Sequence, residues 1–141
     1  MKNWRAKALE DFPALQEMIE EQSGITALWF ELYNLLEVAH EEQPVNDELI
    51  GKVYDYAAWC FNQPQDPDTG IEDPSSAAAV GLIENIPLNK HISEDLYRWF
   101  SAEAFDGFEN LFRYHLSDEE YRKFSEEFRR KRREFPGDSR L

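Results

Sequence analysis

The chain has a single cysteine, Cys60, so no intramolecular disulfide can staple it, which fits a reducing cytoplasm. No run approaches the ~18 apolar residues needed to cross a bilayer, so no membrane is implied. The opening Met1-Lys2-Asn3-Trp4-Arg5 leads into a charged helical pattern rather than the apolar stretch of a signal peptide. No segment of four or more residues alternates as a strand does, and no internal repeat is visible. Gly-x-Gly-x-x-Gly, the phosphate-binding Gly-Lys-Ser/Thr loop and Gly-x-Ser-x-Gly are all missing, which removes the common nucleotide and acyl-transfer signatures. His40, His91 and His115 stand far apart, and with one cysteine they make no zinc spacing. There is no Glu-x-x-His pair for a di-iron bundle.

Cations are scarce over most of the length. Residues 1–121 hold 7 Lys/Arg against 25 Asp/Glu, whereas residues 122–141 hold 8 against 4. The formal net charge is −14. An acidic body repels phosphates, so nucleic acid is a disfavoured partner. The basic stretch Arg129-Arg130-Lys131-Arg132-Arg133 is the exception. It could bind phosphate, but its ordinary reading is a solvated helix end that complements the helix dipole.

What the chain does have is grease in helical order. Hydrophobic residues make up 42% and aromatics 14%, too many core-formers for a disordered acidic chain. Ile25, Leu28, Trp29, Leu32, Leu35, Leu36 and Ala39 recur at steps of three and four. Beyond Pro44, Leu49, Ile50, Val53, Tyr54, Ala57 and Phe61 do the same. Two striped segments with a short connection predict an antiparallel helical hairpin.

Around it the spacing predicts a helix over 4–21 interrupted near Phe12-Pro13, with Asp11 capping its second part. Asn46 is expected to cap the helix that ends near Asn62. Asp73-Pro74 should open a helix running to Ile86, and Ser93 should cap the next. Ser117-Asp-Glu-Glu120 is a capping box, the firmest local signal in the chain. The last helix carries Tyr121, Phe124, Phe128 and Phe135 on one side, with Lys131 and Arg132 where an apolar residue is expected. Its inner half should pack on the domain and its outer half project, basic and amphipathic, with simple docking of the whole helix along its own domain as the alternative. The expected fold is all-α: six to seven helices with antiparallel neighbours, as a bundle or a short repeat-like array. Residues 1–135 form a single domain, and 136–141 fray.

Candidate chemistry is thin. Asp66-Pro-Asp68-Thr-Gly70-Ile-Glu72-Asp73 resembles a calcium loop, but glycine falls at the fifth position and position twelve is Ala77, so a solvated acidic loop is the better account. His115 lies on an aromatic stripe and reads as packed or helix-ending. Cys60, between Trp59 and Phe61, reads as a buried thiol. Trp4, Trp29, Trp59 and Trp99 read mainly as core. Any pair of the many carboxylates could be proposed as acid and base, which makes the signal worthless without geometry.

The segment from Asp95 through Leu111-Phe-Arg-Tyr-His-Leu-Ser-Asp-Glu-Glu-Tyr-Arg-Lys-Phe, with Leu28-Trp-Phe-Glu-Leu32, resembles small bacterial all-helical domains of unknown function. Some of those look like immunity proteins of toxin systems. The resemblance implies a helical fold and no catalytic residue. The functional expectation is a cytoplasmic, non-enzymatic acidic binding protein, immunity-like in its most concrete form, with a basic protein partner and no cofactor or metal. The alternatives are a carboxylate-based metal-dependent enzyme, or a self-associating module that uses the last helix as a dimer seam. The candidate partner surface comprises Asp66, Asp68, Glu72 and Asp73 in the acidic loop and Arg129, Arg130, Lys131, Arg132 and Arg133 in the basic stretch.

Overall fold

Proline, glycine and short polar caps divide the chain into helices, and the computed structural model describes residues 3–65 and 72–141. Helix α1 spans Trp4–Asp11, opened by the Asn3 side chain accepting from the Ala6 N–H at 2.8 Å. A 3-10 turn, Pro13–Leu15, separates it from α2, Gln16–Glu21. Asp11 does not cap this turn as expected. It ends α1 and pairs with Lys7 at 3.0 Å. Pro13 would fall where a cap at Asp11 needs an N–H, and proline has none. Arg5 instead reaches across from α1 and closes the end of α2, donating to the carbonyls of Ile19 at 2.7 Å and Gln22 at 2.8 Å.

The predicted hairpin is formed by α3, Ile25–Glu41, and α4, Asp47–Phe61. The Asn46 side chain accepts from the Leu49 N–H at 3.1 Å, as its position predicts. Helix α3 buries Ile25, Leu28, Trp29, Leu32, Leu36, Ala39 and His40. Helix α4 buries a matching row from Ile50 to Cys60. Burying side chains of this size stabilises by roughly 1.5–3 kcal/mol each.

Helix α5, Pro74–Gly81, starts at the predicted cap, with Asp73 accepting from the Ser76 N–H at 2.8 Å. It stops five residues short of Ile86, and Ile83–Leu88 is a 3-10 segment containing Pro87. The Pro87 ring would strike the Ile83 carbonyl in an α-helix, so the tighter winding replaces it. Gly81 lies against α3: a Cβ there would stand 2.5 Å from the Trp29 Cβ. Only a glycine permits that approach.

Helix α6, Lys90–Asp95, is capped by Asn89, which accepts from the Ile92 N–H at 3.0 Å, and not by Ser93, which lies inside it. The chain re-enters helix directly after Pro87, which places the cap earlier than expected. A 3-10 turn, Leu96–Arg98, follows. Then come α7, Ala102–Gly107, α8, Glu109–Phe112, a 3-10 turn at Arg113–His115, and α9, Asp118–Glu134. The capping box at Ser117 and Glu120 is present in both directions, at 3.1 and 2.9 Å.

The described residues are all-helical, with nine α-helices where six to seven were expected, and without a strand. The surplus comes from 3-10 breaks that periodicity alone does not reveal. None of these helices is long and apolar enough to cross a membrane. Two aromatic groups fill the core. Phe12, Trp29, Tyr56 and Trp59 meet between α1, α3 and α4. Phe100, Phe105, Phe112, Phe124 and Phe128 form the second, in which Phe105 stacks on Phe128 at 4.1 Å. Tyr54 joins them through Trp99 and Phe100. The chain end lies against the fold. The Arg140 and Leu141 N–H groups donate to the Trp99 carbonyl at 2.8 and 3.0 Å, and Arg140 pairs with Asp55 at 2.6 Å.

Candidate functional site

Asp95 is the hub of the most elaborate polar cluster. Its carboxylate accepts from His40 Nε2 at 3.1 Å, Arg98 Nε at 2.6 Å and Trp99 Nε1 at 2.9 Å. Arg98 extends the cluster to Asp47, at 2.6 and 3.2 Å. The end of α3, the start of α4 and the end of α6 therefore share one charge-assisted knot. Burial by itself would raise the Asp95 carboxyl, but the hydrogen bonds from His40, Arg98 and Trp99 outweigh it and hold it below the ordinary carboxylate range.

His40 also faces the Leu36 carbonyl through Nδ1, at 2.8 Å. Two oxygens thus face the two ring nitrogens, and both nitrogens are engaged within the fold. No nitrogen of His40 points free into solvent, so it is a brace rather than a base. The neighbouring Tyr54 hydroxyl is buried without a hydrogen-bond partner among the described residues. Its pKa is raised by burial and, next, by the Asp95 charge.

A cleft of about 550 Å³ opens beside the knot, with His40, His91, Glu94, Arg98, Lys131 and Phe135 on its walls. That volume suits a small ligand. Several of its charged groups are nevertheless engaged within the fold. Lys131 donates to the Glu94 carbonyl at 3.1 Å and pairs with Glu127 at 2.9 Å, while Lys90 pairs with Glu94. Among the described residues no group of three or more His, Cys, Asp and Glu is placed to hold a metal ion.

The sequence-predicted candidates fare differently. Asp66 and Asp68 lie outside the described residues. Glu72 is exposed, its carboxylate set against Gly24 at the start of α3, where helix N–H groups favour an anion. Asp73 is buried and serves as the α5 cap. The basic stretch does not project as expected. Arg129 bonds to Asp106 and Ser125 and lies over the Phe105 ring, and Arg132 donates to the Tyr97 carbonyl at 2.9 Å. With Lys131 these cations dock α9 onto its own chain, because long stems cover apolar rings while the heads find carbonyls and carboxylates. Arg130 and Arg133 are exposed and make no ion pair among the described residues.

His115 is exposed, edge-on to Tyr114, at the end of its 3-10 turn rather than packed. Cys60 is buried as expected, and burial pushes its thiol up to about 12.

Sequence reasoning did not find the outer face of α3. Phe30 and Val38 are 51% and 53% exposed there, where a helix of this composition usually hides them. Asn34 lies between them on one i, i+4 row. Glu31, Glu41 and Glu42 on or just beyond this helix are exposed and unpaired among the described residues, as are Glu17 and Glu21 on α2. The signal was present in the sequence as two apolar residues outside the main stripe.

No known protein family matches this chain, and no curated protein or solved structure is similar to it.

Proposed function

We propose that this chain is a non-enzymatic binding protein that presents an acidic surface to a basic protein. The supporting observation is the distribution of unneutralised charge. Most cations of the second half are paired, as in Arg113 with Glu109 and Arg122 with Glu119 and Glu126, and among the described residues Arg130 and Arg133 are the exceptions the basic stretch leaves. The carboxylates Glu17, Glu21, Glu31, Glu41 and Glu42 have no such partner among the described residues. A field of one sign speeds encounter with the opposite sign and rejects phosphates. The inward polar cluster is consumed by bracing, which favours binding over catalysis. An inhibitor of a basic toxin in a reducing cytoplasm is the most concrete form of this reading, in line with the resemblance to immunity-like helical domains.

The test is affinity capture from the native host at low and high ionic strength, with identification of what is retained. A defined basic protein that binds the purified chain stoichiometrically, and releases with salt, is the expected result. Retention of acidic proteins only, or of nothing, refutes the proposal.

A further inference from the structure

We infer that the outer face of α3 is the docking site, and that its occupant is a basic amphipathic helix of a different protein. This rests on the acidic-surface reading and adds the place and the shape of the partner. Phe30 and Val38 stand eight residues apart on one side of α3, about 12 Å along its axis. Leu88, 56% exposed, borders the same face, because the neighbouring Asn89 side chain bonds to Glu37 of α3 at 3.0 Å. Phe30 and Val38 are the apolar residues of this face, with Asn34 between them and the exposed Glu31, Glu41 and Glu42 beside or just beyond them along the helix.

A helix laid along α3 would cover Phe30 and Val38 with apolar residues about two turns apart, and place Lys or Arg against the flanking carboxylates. A second copy of this chain fits poorly. Its exposed unpaired cations, Arg130 and Arg133, sit on α9 among Glu126, Glu127 and Glu134, which would meet the α3 carboxylates head-on. Two chains of net charge −14 also repel.

The probe is a synthetic Leu/Lys peptide of about 18 residues, or five helical turns, with its leucines on one face. Two controls accompany it: the same composition with the stripe scrambled, and a Leu/Glu peptide of the same pattern. Binding to the full chain is measured by calorimetry, alongside Phe30→Ser/Val38→Ser and Glu31→Lys/Glu41→Lys. These positions are exposed, so the variants should keep the parent circular dichroism.

The striped basic peptide should bind, with both controls and both variants weaker by roughly tenfold or more. Equal binding of that peptide to Phe30→Ser/Val38→Ser overturns the α3 site while leaving the acidic-surface reading in place. Equal binding of the scrambled peptide overturns the helical partner. Failure of every basic peptide to bind removes both the site and the reading beneath it. Sedimentation of the chain alone should show a monomer. A dimer dissolved by Phe30→Ser/Val38→Ser would assign the face to a second copy and overturn the proposal.

Discussion

Helices α3 and α9 are both 17 residues long, yet they belong to the fold in opposite ways. Helix α3 buries seven residues and leaves its outer carboxylates unneutralised. Helix α9 buries only Tyr121 and Phe128, and many of its charges pair at spacings of three and four, as in Arg122 with Glu119 and Glu126, while Arg130 and Arg133 make no ion pair among the described residues. One helix is held by what it excludes from water and is free to present charge outward. The other is held by a capping box, local ion pairs and a few aromatic contacts, with little charge left over. Surface ion pairs contribute little each, so α9 should be the less stable of the two.

The sharpest way to break this contrast is Phe128→Ala, which removes the ring stacked on Phe105. The loss in urea unfolding should be about 3–5 kcal/mol, and hydrogen exchange should show α9 losing protection before α3. If both helices lose protection together, they are one cooperative unit and the contrast fails.

Asp95→Asn should cost about 2–3 kcal/mol, because it strips the charge from a knot that ties α3 to α4 and α6. The sign with pH follows from the lowered carboxyl. Folding favours the ionised form, so this stability is fully present above the ordinary carboxylate range and is lost as pH falls through the lower folded value. The gap between parent and variant should therefore close in acid, and a gap unchanged down to the lowest pH measured would refute the assignment.

Gly81→Ala probes the α3 side. The added methyl would meet the Trp29 Cβ, and overpacking of this kind should cost about 1–3 kcal/mol by thermal or chemical unfolding, with a changed tryptophan signal. The smallest expected effect is Ser117→Ala, about 1 kcal/mol, confined to fraying of the first turn of α9 in exchange measurements. An α3 effect of equal size would again blur the two helices.

Much of the helical framework was legible because its signals are local. Asn46, Asp73 and Ser117 all cap helices as their positions predict, and the stripes of α3 and α4 end up buried. The mistakes came where a proline ring or a distant side chain decided the outcome. Pro87 shortened α5, and Asn89 displaced Ser93 as the α6 cap. The Asp95 knot was invisible for a different reason. With 29 acidic residues, nothing marks Asp95 until His40, 55 positions away, is folded against it. Whether α9 docks on its own chain or projects stayed open in the sequence, because a run of arginines looks solvated until Tyr97 and Phe105 are brought beneath it.

The amino-acid order alone determined the helical class, three of the capping points, the buried thiol and the excess of negative charge, since each depends on residue type and spacing within a few turns. Which carboxylates are neutralised, which histidine is braced, and that Phe30 and Val38 face outward beside unpaired glutamates were decided only by tertiary packing. Those properties depend on groups far apart in the chain, and charge pairing and exposure exist only once the helices have chosen their neighbours.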